Sequence, residues 1–101
     1  MTILNWDVYE INTKASTIKG VMLRGRLRKL GLESQVNILV ENASDKENCV
    51  RFALLDKKQL HLFSEYIIGI ITDSKIDIVL SDVKNPVLSK LKVNVEDRYS
   101  L

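Results

Sequence analysis

Gln35-Val-Asn-Ile-Leu-Val-Glu-Asn42 alternates residue by residue, and this stretch decides the fold. Val36, Ile38, Val40 and Asn42 share one face of an extended chain, and Asn37, Leu39 and Glu41 share the other, which is the period-two pattern of a strand. Ala43-Ser-Asp-Lys-Glu-Asn48 follows, built from residues that favour turns. Cys49-Val-Arg-Phe-Ala-Leu54 is extended again, and the short connection predicts an antiparallel hairpin.

Upstream, Val8 to Ala15 reads as a strand, bounded by Ser16, Thr17 and Gly20. A helix is expected over 21–34, with Leu23, Leu27 and Leu30 at i, i+4 and i+7. Gly25 and Gly31 inside it cost about 1 kcal/mol each relative to alanine. Downstream, Asp56 and Gln59 form a capping-box pattern that opens a second helix over 56–70. Leu60, Phe63, Ile67 and Ile70 make its buried stripe, and Gly69 or Thr72-Asp73-Ser74 ends it. Ile76 to Leu80 reads as a strand, Asn85-Pro86 as a turn and Leu91 to Val95 as a last strand. The order β-α-β-β-α-β predicts an α+β, ferredoxin-like sandwich: one antiparallel sheet of four or five strands with both helices on one face.

The chain has 101 residues, 46% apolar and 28% charged, which fits a single domain over 1–101. One cysteine, Cys49, excludes an intrachain disulfide and points to a reducing compartment. No apolar run approaches the roughly 18 residues of a membrane span, and the first residues lack the basic and apolar regions of a signal peptide. A cytoplasmic protein without membrane contact is therefore expected. Net charge is +2, yet Ile11 to Leu32 holds six bases (Lys14, Lys19, Arg24, Arg26, Arg28 and Lys29) and no acid. A local positive field of this kind suits a small anion or a phosphate backbone.

Ser16-Thr-Ile-Lys-Gly-Val-Met-Leu-Arg24 resembles the acylphosphatase signature G-x-V-Q-G-V-x-F-R, in which a strand runs through a loop into the first helix. Gly20, Val21, Arg24 and an aliphatic at Ile18 are kept, whereas Ser16, Lys19 and Leu23 replace glycine, glutamine and phenylalanine. The family continues with G-W-V-x-N; Val40-Glu41-Asn42 fits V-x-N without a gap, and Ile38-Leu39 stands for the G-W. Ser74-Lys-Ile-Asp77 and Leu88-Ser-Lys-Leu-Lys92 resemble the usual fourth and fifth strands. Anchoring instead on Leu30-Gly31-Leu32 places Ile38 at the asparagine position.

The resemblance implies a hydrolase that cleaves the carboxyl–phosphate bond of small acyl phosphates to carboxylate and inorganic phosphate. It implies no metal and no other cofactor. Ser16, Thr17, Ile18, Lys19, Gly20 and Val21 would form the phosphate-binding loop. Arg24 would hold the phosphoryl oxygens and Asn42 the attacking water. The chemistry is coherent, because the leaving carboxylate is a weak base that needs no strong general acid. Loop amides at a helix N-terminus suit an anion, and arginine stays charged at any working pH. His61, the single histidine, falls on the polar flank of the second helix and is expected at the surface. No H-E-x-x-H, C-x-x-C, G-x-S-x-G or P-loop pattern occurs.

Two other readings stay open. A non-catalytic acylphosphatase-like domain would bind an anion or a protein. An RNA-recognition module shares the element order, with Arg51-Phe-Ala-Leu54 and Val8-Tyr-Glu-Ile-Asn12 as faint echoes of its motifs. Base stacking there needs two or three exposed aromatics, and only Tyr9 and Phe52 are candidates, so nucleic acid is not expected as a partner.

Overall fold

The computed structural model describes residues 4–14, 17, 18 and 21–93, with the backbone alone for 92 and 93. Among the described residues, six strands and two α-helices follow in the order β1 (Asn5–Thr13), α1 (Leu23–Ser34), β2 (Ile38–Asn42), β3 (Val50–Leu54), α2 (Leu60–Ile70), β4 (Ser74–Lys84), β5 (Pro86–Val87) and β6 (Lys92–Val93). Four strands form one antiparallel sheet in the order β2-β3-β1-β4. This is the ferredoxin-like arrangement, with β1 central although it comes first in the chain.

Alternation explains the packing. Val40 pairs with Phe52, and Phe52 with Tyr9, across three strands. These side chains share one core with Leu23 and Leu27 of α1 and with Phe63 and Ile67 of α2. Both helices therefore cover the same face, as their stripes require. Each such side chain, fully buried, contributes about 1.5–3 kcal/mol. Leu30, Leu60, Val36 and Ile38 are half-buried at the margin of this core.

Several boundaries differ from the expectations. β1 starts at Asn5 rather than Val8, and β4 spans Ser74–Lys84 rather than stopping at Leu80. α1 starts at Leu23 because Met22 sits in the left-handed region at φ 58°. β2 starts at Ile38 because Gln35, at φ 57°, closes the helix. The Gln35 N–H donates to Leu32 O at 3.3 Å and the Val36 N–H to Gly31 O at 2.8 Å, the bond pair of a Schellman cap. Asp56 does cap its helix, accepting from the Lys58 N–H at 3.0 Å, but the first turn, Lys57–Gln59, is a 3₁₀ turn. The expected last strand over 91–95 is short, pairs only with β5 and does not join the main sheet; residues 94 and 95 lie outside the described ones.

Gly31 has a packing reason. A Cβ there would lie 2.6 Å from Ile38 Cγ2 and 3.1 Å from Val36 O, whereas one at Gly69 would meet nothing within 4 Å. Gly31→Ala is expected to destabilise by about 1–3 kcal/mol through overpacking. Gly69→Ala is expected to stabilise by about 0.5–1 kcal/mol. Urea unfolding midpoints moving in opposite directions would check the pair.

The second face of the sheet is covered as well. The segment after β4 lays Leu88 against Trp6, Val8 and Ala53, with Leu39, Val79 and Leu91 at the edge. Two charged residues lie within this layer. Arg51, only 1% exposed, donates to Glu10 Oε2 at 3.0 Å, Asp45 Oδ1 at 2.7 Å and Leu88 O at 2.9 Å. Glu10 also accepts from Lys46 Nζ at 2.8 Å and Asn12 Nδ2 at 3.0 Å. Ser44 ties the same region down through its N–H and hydroxyl, both donating to Ser89 O.

Burial pushes the Glu10 carboxyl up, but hydrogen bonds from Lys46, Asn12 and Arg51 outweigh it and hold the pKa at about 2, against an ordinary 4.5. A depressed carboxylate pKa gives stability that is present above the unfolded-state value and is lost as pH falls through the folded one. Stability amounting to about 3 kcal/mol is therefore expected to disappear between pH 4.5 and about 2. Urea midpoints measured across that window should fall steeply in the wild type and less so in Glu10→Gln. A flat wild-type profile would refute the assignment.

Candidate functional site

The connection from β1 to α1, the first turns of α1 and the β2–β3 turn enclose an open concavity of about 1030 Å³. Its walls include Thr17 and Ile18, Arg24 and Arg28, and Asn42 through Val50. Arg24 and Asn42, far apart in sequence, thus meet at one cavity. Ile38 does not line it; it lies at the opposite end of β2, beside Gly31.

Helix α1 begins here without a side-chain cap, and its first turn holds no acid. Its first i→i−4 bond runs from the Arg26 N–H to Met22 O at 3.1 Å. The N–H groups of Leu23, Arg24 and Gly25 therefore have no partner within the helix, and the positive end of the helix dipole lies at the cavity.

The loop expected to cradle phosphate is only partly described, since Ser16, Lys19 and Gly20 lie outside the described residues. Thr17 is exposed and Ile18 buried, while Val21 is half-buried against the helix-side core. The Ile18 N–H donates to Asn48 Oδ1 at 2.7 Å and the Val21 N–H to Ile18 O at 3.2 Å. These two amides serve the protein itself, contrary to the expectation that the loop amides converge on a ligand. Asn48 also donates from Nδ2 to Thr13 Oγ1 at 2.7 Å, so it staples the connection at two points. It sits at φ 53°, a left-handed position that asparagine tolerates. Its sequence signal, an asparagine ending a turn, gave no hint of a partner 30 residues away.

Arg24 differs from expectation too. Its half-exposed guanidinium lies beside β2, with Nη1 3.8 Å from Glu41 Oε2. Arg28, one turn on, places Nη2 3.5 Å from Glu41 Oε1 and donates to Val40 O at 3.0 Å. Arg28 belongs to the acid-free basic segment, and its i+4 spacing from Arg24 was the available signal for it.

The turn that forms the far wall is rigidly held. Asp45 is engaged by Arg51, whose hydrogen bond keeps its carboxyl below the usual range. Lys46 is engaged by Glu10, whose hydrogen bond raises its pKa. Burial, reinforced by the Glu10 charge, pushes the Cys49 thiol up to about 11, so it stays protonated near neutrality and is a poor nucleophile. His61 is exposed and pairs with Glu65 at 3.1 Å, away from the cavity. Among the described residues no group of His, Cys, Asp and Glu is arranged to hold a metal ion.

Tyr9 and Phe52 are 3% and 0% exposed and stack on each other at 5.2 Å beneath the helices. Neither presents a ring to a base. Arg51, the basic residue of that echo, is buried on the other face. Among the described residues no helix is long and apolar enough to cross a membrane. No family model matches the chain, and neither a curated protein nor a solved structure matches it.

Proposed function

We propose that the domain is an acylphosphatase-like hydrolase, acting on small acyl phosphates without a metal. The supporting observation is that Arg24 and Asn42 line one concavity at the uncapped start of α1. In this reading the phosphoryl group sits against the first-turn N–H groups of α1, with Arg24 neutralising its charge. Asn42 orients a water for in-line attack on phosphorus. The P–O bond to the acyl group breaks, its electron pair leaves with the carboxylate, and the water's protons pass to solvent and phosphate. The reaction needs position and charge more than acid–base strength.

The test is phosphate release from an aromatic acyl phosphate. Turnover that persists in chelator, and inhibition by inorganic phosphate, are expected. A second reading, a non-catalytic anion-binding relative, draws on one observation: Asn48 already occupies the Ile18 N–H. Phosphate binding without turnover would favour it.

A further inference from the structure

Glu41 is the only acid seen against either arginine of the cavity wall among the described residues, and it serves both. One carboxylate oxygen faces each guanidinium, at 3.8 Å for Arg24 and 3.5 Å for Arg28. Both contacts are long for charge-assisted hydrogen bonds, which close to about 2.7–2.9 Å. All three side chains are roughly half exposed. Arg28 is held in addition by the Val40 carbonyl at 3.0 Å, and the carboxylate bridges the pair only loosely.

Arg24 and Arg28 are also like charges at i, i+4, an arrangement that weakens a helix and that one shared carboxylate at 3.5–3.8 Å offsets only in part. Of the other charged side chains lining the cavity, Asp45 and Lys46 are engaged by Arg51 and Glu10, and Glu47 stands on the opposite wall. The cavity is open, and its wall runs past Arg24 to Arg28.

We infer that Arg28 is a specificity residue, and that the ligand carries a second anionic group, carboxylate or phosphoryl, about one helical turn from the group held by Arg24. Glu41 is displaced from both arginines when such a ligand binds. The inference rests on the proposed anion site and deepens it by naming the substrate class: acyl phosphates whose acyl part is itself anionic, in preference to neutral ones.

Binding of two probes separates the possibilities: inorganic phosphate, and 3-phosphonopropionate, which carries a phosphonate and a carboxylate. Amide shifts of Leu23, Arg24 and Gly25 report occupancy. The wild type is expected to bind 3-phosphonopropionate about tenfold more tightly than phosphate, the value of one added charge-assisted pair. Arg28→Ala is expected to remove that advantage while weakening phosphate by no more than about twofold, a screened surface charge being worth little. Arg28→Lys should restore part of the preference, and Glu41→Gln should tighten the dianionic probe more than Glu33→Gln does. Equal binding of the two probes to the wild type, or an equal loss of both in Arg28→Ala, overturns this inference and leaves the anion site standing. Binding of neither probe overturns the anion site as well.

Discussion

Replacing Arg51 with alanine is expected to cost about 3–5 kcal/mol, the range for breaking a buried ion pair by removing one partner. The side chain is 1% exposed and reaches Glu10, Asp45 and the Leu88 carbonyl. Its loss leaves the Glu10 carboxylate inside the protein with Lys46 as its remaining cation, and leaves a cavity between the sheet and the segment that covers it. A domain of this size has only about 5–15 kcal/mol of total stability, so the variant should be close to unfolding at 37 °C. Urea denaturation gives the measurement. Arg51→Met with Glu10→Gln should lose less than Arg51→Ala alone, because no charge is stranded. A shift under about 1 kcal/mol, the usual value of an exposed pair, would show that the network contributes no more than a surface salt bridge.

Asn42→Ala is expected to lower kcat by about a hundredfold, since one well-aimed polar group commonly contributes about 3 kcal/mol in the transition state. Phosphate inhibition should be nearly unchanged, because the asparagine is assigned to the water. Arg24→Ala is expected to remove binding and turnover together, because the arginine holds the phosphoryl charge in ground and transition states alike. Both side chains are exposed, so folding should survive, and circular dichroism checks that it does. If Asn42→Ala leaves the rate unchanged in an active enzyme, the water is held elsewhere, and the proposed mechanism fails at that residue.

The hairpin and the helix stripes were legible because they are local. Val40 and Phe52, or Leu23 and Leu27, declare their faces through spacing alone. The missed parts involve polar residues whose partners lie far along the chain. Asp7 interrupts the apolar run before Val8 and made β1 look shorter, yet it is buried and accepts from Ser81 Oγ at 3.1 Å and the Asp82 N–H at 3.0 Å. The strand expected over Ile76 to Leu80 continues through the polar pair Ser81-Asp82 with a register shift opposite Trp6 and Val8. Nothing near Arg51 in sequence shows that Glu10 lies opposite it on the neighbouring strand.

The candidate site divides along the same line. Arg24 and Asn42 were singled out through the resemblance, and the structure brings both to one cavity. Asn48 was not, because its reach to Ile18 and Thr13 depends on the turn's path in space.

The position of β1 bears on how the chain assembles. β1 precedes both of its neighbours in the sequence, yet it is an interior strand: it lies unpaired until Val50–Leu54 exists, and its other edge waits for Ser74–Lys84. Trp6 must find Val83, and Asn12 must find Lys75, so the closing contacts join segments far apart in the chain. Such distant pairings pay loop-closure entropy before they return any energy. Folding is therefore expected on the millisecond scale of mixed α/β domains rather than the microsecond scale of helical bundles. On a ribosome the nascent sheet stays incomplete until β4 has emerged.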